Sequence, residues 1–387
     1  MQSLPVITRV RAWVFRVPIA QPVTTSFGQL KDRPAVFVRL DASDGAWGWG
    51  EVFCNFPQVG AEHRARLLEG LLAPLVLGQP CHEAPALWQQ LHTQLHRVAL
   101  QCGEPGPFAQ TAGAIDQAVW DMNARRAGLP LWQFAAPEGQ TGQPRVQVYA
   151  SGLGPNAVGQ TALAQQAQGY RAFKFKVGFA PEVDIANFQE IRDALGPSAT
   201  IMVDANQAWS MQEAPQRMAA LAALAPLWIE EPVAADTPHA DWQQLSQALQ
   251  PWAGTALAAG ENLRGHAQFE AALAAGYLRY IQPDVAKWGG ITGCRDVALM
   301  AARYNATFCP HWLGGGIGLA ASLHLRAAMG LAGYAEVDAN PNPLRELIFA
   351  PPVIDGCVTL SSAPGLGFEP DLAALQAFEH LHIDVTR

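Results

Sequence analysis

Four stretches of the chain decide its fold: AFKFKV at 172–177, IMVDAN at 201–206, LWIEEP at 227–232 and ALAAGEN at 256–262. Each is a short apolar run that closes on charge. A carboxylate at the end of a buried strand is costly unless a positive group compensates it. Three recur here, Asp204, Glu230 and Glu261, each about one strand plus one helix beyond the last, with Lys174 and Lys176 before them and His311 after. The pattern predicts three carboxylates converging on a divalent cation in the mouth of a barrel.

The rhythm extends both ways. VQVYAS at 146–151 precedes the four stretches, and YIQPD at 280–284, TFCPH at 307–311 and YAEVD at 334–338 follow, so that the polar or charged residues closing the eight runs lie 23 to 31 residues apart. That interval is one strand and its covering helix, repeated often enough to close a parallel barrel. The intervening segments carry helical spacing: in 183–196, Ile185, Phe188, Ile191 and Leu195 step by three and four before Gly196, and 159–169 closes on Gly169 in the same way.

In a closed parallel barrel the reacting groups come from the C-terminal ends of the strands. Lys174, Lys176, Asp204, Glu230, Glu261, Asp284, His311 and Glu336 all lie at such ends. Strand residues two apart share a face, so Lys174 and Lys176 aim inward together and Phe173 and Phe175 face the helices. Glu230 and Glu231 are adjacent, so only one of them lines the mouth directly.

With 387 residues, the chain exceeds a barrel of about 250. Residues 1–130 read as an α+β cap: RVRAWVFRVPI at 9–19 and AVFVRLDASDGAWGWGEV at 35–52 are antiparallel strands with a DG turn, followed by helical segments at 61–77 and 108–127. The barrel takes 131–349. The tail, 350–387, has strand and turn character without the barrel rhythm and is expected to return to the cap.

A formal net charge of −8 with no basic stripe argues against a nucleic-acid partner. No stretch of about 18 apolar residues and no signal-peptide layout appears, so no membrane partner and a cytoplasmic location are expected. The six cysteines are scattered without a CxxC pair, which is neither a zinc nor a disulfide framework.

Several motifs in fixed order now carry a resemblance: GWGE ending at Glu51, AGAIDQAVWD at 112–121, FKFKVG at 173–178, MVDANQ at 202–207, WIEEP at 228–232, AGEN at 259–262, PDVAKWGGITG at 283–293 and PH at 310–311. Over essentially its full length the chain resembles the enolase superfamily, and within it the mandelate racemase and muconate lactonizing enzyme-like proteins, closest to the mandelate racemase subgroup. The resemblance implies a modified TIM barrel of the (β/α)7β type beneath an α+β cap that the tail completes. It also implies one Mg²⁺ per subunit, ligated by Asp204, Glu230 and Glu261 rather than Glu231, and enolisation of a small-molecule carboxylate.

The chemistry asks for these residue types. Removing a proton alpha to a carboxylate builds a second negative charge on that group, and a hard dication with oxygen ligands stabilises it. Lys176 is the candidate base, its pKa expected to fall beside Lys174 and the metal; Lys174 is left to hold the substrate carboxylate. The bland alternative has both lysines merely neutralising the acidic cluster. The resemblance pairs Asp284 with His311, the aspartate fixing the imidazole tautomer, and places Glu336 against the substrate carboxylate opposite the metal, with Asp338 competing for that role.

Substrate contacts are expected from Ser151, Asn206 and Trp312, and from two cap loops, 22–30 and 52–63, through Thr25, Phe27 and Asn55. Lys287 is a secondary candidate. The loop WLGGGIGLA at 312–320 departs from a mandelate-specific site. Two proton-transfer groups flanking one carbon serve dehydration of an acid sugar, the preferred reading, or racemisation or epimerisation of a 2-hydroxy acid; a catalytically silent metal-binding scaffold is the third. A cap of this size leads us to expect a homo-oligomer.

Overall fold

The computed structural model describes residues 4–25, 28–330 and 332–387. Its first layer is an antiparallel sheet in the order β14-β1-β2-β3, formed by β1 (Ile7–Thr25), β2 (Gly28–Ala42), β3 (Trp47–Val52) and, from the far end of the chain, β14 (Glu379–Thr386). Alternating apolar side chains such as Val36 and Val38 give this sheet a buried face. Against it pack α1 (Gly60–Leu67), which continues through a π-turn into α2 (Ala73–Val76), then α3 (Ala84–Cys102) and α4 (Pro105–Arg126).

Helix α4 is buried almost all round from Gln110 to Asn123 because it lies between the cap sheet and the barrel. The glycines of the GWG motif make that possible. A Cβ on Gly48 would stand 2.0 Å from the Ala118 carbonyl oxygen, and one on Gly50 2.1 Å from that of Ala114. Only a bare backbone lets strand and helix approach this closely.

After the short α5 (Leu131–Phe134) the barrel begins. Its strands are β4 (Arg145–Leu153), β5 (Ala172–Lys176), β6 (Thr200–Asp204), β7 (Trp228–Glu230), β8 (Ala256–Ala259), β9 (Leu278–Ile281), β10 (Thr307–Phe308) and β11 (Ala335–Asp338). Neighbours pair in parallel from β4 to β10; β11 pairs with β4, and the Glu336 N–H of β11 reaches the Pro310 carbonyl just beyond β10. Seven helices lie between successive strands: α6 (Val158–Ala167), α7 (Pro181–Leu195), α8 (Ala214–Ala222), α9 (His239–Ala248), α10 (His266–Ala274), α11 (Gly290–Arg303) and α12 (Gly316–Ala328). This is the expected (β/α)7β arrangement.

The tail does more than return to the cap. Beyond α13 (Pro343–Glu346), the hairpin of β12 (Val353–Ile354) and β13 (Cys357–Thr359) pairs antiparallel with the start of β4 before β14 joins β1. No helix among the described residues is long and apolar enough to cross a membrane.

Candidate active site

The site is built by strand alternation. Inside the barrel, Tyr149, Ala172, Met202, Trp228, Ala258 and Cys309 form one buried apolar floor. Two residues further along the same strands stand Ser151, Lys174, Asp204, Glu230 and His311. A period of two therefore turns an apolar floor into a ring of polar groups at the strand ends.

On one side of the ring are the lysines. Lys174 Nζ lies 2.7 and 2.8 Å from the two Glu230 oxygens, 2.9 Å from Glu336 and 3.7 Å from Asp204. Burial lowers its pKa, but Glu230 and Glu336 carry it well above the ordinary lysine value. Lys176 Nζ sits 2.5 Å from Asp204. Among the protein's own groups, burial and Lys174 act downward on the Lys176 pKa, yet Asp204 outweighs them and raises it.

On the other side, His311 Nδ1 is 2.5 Å from Asp284 and Nε2 is 2.6 Å from Glu261 and 3.8 Å from Glu336. Burial disfavours the imidazolium, but Glu261 and Glu336 push its pKa well above the usual histidine value. Glu336 also accepts from the Ser151 hydroxyl and from the Trp312 N–H.

Asn206 donates to Asp204 through both its backbone N–H and its amide. Asn55 spends an amide N–H on the Leu313 carbonyl, tying the cap loop to the loop after His311. The Trp312 indole is 1 % exposed and donates to the Gly315 carbonyl, so it packs beneath the loop instead of walling an open mouth. Asp338 points to Arg33 of the cap, 2.8 Å away in a fully buried pair, which separates it from Glu336. Lys287 reaches the Asn262 amide oxygen at 2.8 Å and Glu261 at 3.4 Å. Phe27 and the Thr25 side chain lie outside the described residues.

Three contributors were not singled out from sequence. Gln282 donates to Glu230 at 2.6 Å; it stands two residues before Asp284 at the end of β9, where same-face alternation was the available signal. Asn262 donates to both oxygens of Glu231 and to Glu261, so the buried Glu231 supports the site from behind. Glu51, noted only within a motif, reaches the loop after His311.

The donor set fits a divalent cation. Asp204, Glu230, Glu231, Glu261, Asp284 and Glu336 cluster against Lys174, Lys176, Lys287 and His311. Burial lifts Glu230 to about 7 against the pull of Lys174, and burial with Glu261 lifts Glu231 well above the carboxylate range, so both are carboxyls whose ionised form a further positive charge would favour. Among the described residues no three acidic, histidine or cysteine side chains stand in a ready coordinating group; the amines and imidazole engage the oxygens instead. Three hard oxygen side chains on successive strand ends suit magnesium, which keeps positions for water and substrate.

Residues 157–374 match the family described as enolase C-terminal domain-like, and residues 8–135 match the mandelate racemase / muconate lactonizing enzyme N-terminal domain. A crystal structure of a mandelate racemase/muconate lactonizing enzyme from Bordetella bronchiseptica is 46% identical, covers 97% of this chain and 99% of its own, and superposes with a TM-score of 0.88. A racemase from Streptomyces coelicolor, solved with bound magnesium, is 30% identical over 97% of this chain and all of its own, with a TM-score of 0.85. Among characterised relatives, 3,6-anhydro-alpha-L-galactonate cycloisomerase of Streptomyces coelicolor is 31% identical, covering 95% and 98% of the two chains. D-galactonate dehydratase of Ralstonia nicotianae is 33% identical, covering 75% and 74%. The chain belongs to the enolase superfamily, in its mandelate racemase and muconate lactonizing enzyme family.

Proposed function

We propose that this chain is a magnesium-dependent acid-sugar dehydratase, which removes the proton alpha to a substrate carboxylate and expels the neighbouring β-hydroxyl to give a 2-keto acid. The observation that carries the reading is the Lys176 amine at the end of β5 and the His311 imidazole just beyond β10, facing a single carboxylate cluster from two sides. Asp204, Glu230 and Glu261 would hold the dication, which would supply charge stabilisation at the substrate carboxylate; with Asp204 so occupied, Lys176 would lose the carboxylate that raises its pKa.

The chain's own residues then divide the work. Lys176 takes the alpha proton, leaving the C–H electron pair in an enolate. Lys174, fixed by Glu230 and Glu336, offers its ammonium to the substrate carboxylate. His311, held by Asp284, gives its Nε2 proton to the departing hydroxyl as the C–O bond breaks, so that water leaves and the enol product tautomerises to the ketone. Glu336, buried beside Ser151 and the Trp312 N–H, stands where the substrate carboxylate faces away from the metal. Substrate contacts from Ser151, Asn206, Thr25, Phe27 and Asn55 belong to the same reading; Trp312, packed beneath the loop, drops out of that set.

A second reading, racemisation or epimerisation, uses the same two groups with His311 returning the proton to carbon, and the racemase among similar structures favours it. Incubating the Mg²⁺-loaded protein with sugar acids and aromatic hydroxy acids in D₂O separates them. Keto product from a sugar acid supports dehydration; inverted configuration with alpha-deuterium and no keto product replaces it with the second reading. Neither, from any acid, leaves a metal-binding scaffold. The reading also carries one Mg²⁺ per chain, tested by calorimetric titration, and a homo-oligomer, tested by light scattering.

A further inference from the structure

The cap touches the barrel through side chains that do not reach the cluster itself. Glu51, at the end of β3 and 2 % exposed, accepts from the Gly315 N–H at 2.5 Å through one oxygen and from the Gly318 N–H at 2.8 Å through the other. Gly315 ends the turn that leads from His311 into α12, and Gly318 lies in the first turn of that helix. The junction has no slack: a Cβ on Gly315 would stand 2.8 Å from Glu51 Oε1, and one on Gly318 only 1.9 Å from the Trp312 ring. Trp312, next to His311, is fixed in turn by Gly315 and Glu336.

One helical residue completes the clamp. Gln117 of α4 accepts from the Glu51 N–H and donates both to the Glu51 carbonyl and to the Val285 carbonyl, next to Asp284. Its neighbour Asp116 accepts from the Thr292 N–H at 2.9 Å and the Thr292 hydroxyl at 2.5 Å, at the start of α11. Thus the two loops that carry Asp284 and His311 are both held from the cap. Lys174 and Lys176 are held by Glu230 and Asp204 of the barrel itself.

We propose that Glu51 is a positioning residue for the His311–Asp284 pair, acting through the 312–318 segment, and that the Lys176 side of the site is set independently of it. The inference rests on the two-sided proton-transfer reading above and extends it: the cap fixes one of the two proton-transfer groups as well as enclosing substrate. Disturbing Glu51 should therefore injure one face of the reaction and spare the other.

The test uses Mg²⁺-loaded wild type, Glu51→Gln and Gln117→Leu. Glu51→Gln keeps the shape but loses one acceptor and turns an amide N–H against a backbone N–H. Alpha-proton exchange in D₂O is followed on the two C2 epimers of a reactive acid, the face of each being assigned by which of Lys176→Ala and His311→Ala abolishes its exchange. Exchange through His311 should fall about tenfold or more in Glu51→Gln while exchange through Lys176 stays within about twofold. In histidine-¹⁵N-labelled protein, the His311 Nδ1–H resonance should shift or broaden. Equal loss on both faces, or no loss on either with an unchanged resonance, overturns the proposal. Should Glu51→Gln fail to fold, Gln117→Leu decides by the same two criteria. A wild type that exchanges no acid at all rejects the proton-transfer reading instead, and the resonance, which needs no substrate, still decides whether Glu51 positions His311.

Discussion

Lys176 and His311 have opposite problems to solve. Asp204 raises the pKa of Lys176, and Glu261 with Glu336 raises that of His311, so the protein's own carboxylates favour the charged form of both. A base on one side requires that Asp204 be engaged elsewhere, which is the link between metal and lysine. Replacing Lys176 or His311 by alanine should lower turnover by about 10³-fold or more, with Mg²⁺ affinity by calorimetry changed less than about threefold; a variant retaining full activity removes that residue from the reaction. Glu230→Gln should instead weaken Mg²⁺ binding by about tenfold or more, and unchanged metal affinity would show that Glu230 is not a ligand. Most of these residues were legible in the sequence because strand ends and period-two alternation fix where a side chain points. The expected Asp284–His311 pair is present, whereas other partners escaped, such as Gln282 on Glu230. Asp338 and Glu336 share a face, and only the approach of Arg33, more than 300 residues earlier in the chain, sends Asp338 away from the cluster.

Elements meet here through few, fully buried contacts, and these should be brittle. Arg33 of β2 and Asp338 of β11 form a pair with both side chains 1 % exposed. Arg33→Met strands the carboxylate with Arg345 at 3.5 Å as its remaining cation, which should cost about 3 kcal/mol in urea denaturation, toward the low end for a broken buried pair. A loss below about 1 kcal/mol would mean that Arg345 suffices. Gly318→Ala drives a methyl into the Trp312 ring, and overpacking of this kind costs about 1–3 kcal/mol; a melting temperature equal to wild type would show that the ring has room to move. Glycines at such contacts look in sequence like any turn glycine. The GGGIG at 314–318 reads as a loop, and its close packing against Trp312 and Glu51 is visible only once cap and barrel are placed together.

At the scale of the whole molecule, one buried histidine ties three regions. His324 of α12 accepts from the Trp132 N–H of α5 and meets the Leu366 carbonyl of the tail. Burial depresses its pKa from 6.5 to about 4. The folded protein therefore keeps it neutral where the unfolded chain protonates it, so its stabilisation is complete above about pH 6.5 and declines as pH falls toward 4, by about 3 kcal/mol across that window. His324→Gln should flatten this part of the melting profile relative to wild type, and an equally steep profile would assign the acid loss to other groups. The barrel itself was plain in the sequence, since eight runs at regular spacing admit few folds. The tail was less so: its β12–β13 hairpin pairs with β4 before the chain reaches the cap, a long-range pairing that no local pattern encodes. The account as a whole stands on metal-dependent removal of an alpha proton. Its most direct test is alpha-hydrogen exchange of an acid-sugar substrate in D₂O, measured before and after exhaustive chelation and again on restoring Mg²⁺. The account predicts exchange that disappears on chelation, returns with the metal and is absent in the double variant Lys176→Ala/His311→Ala; exchange at the full rate in chelated protein would contradict it.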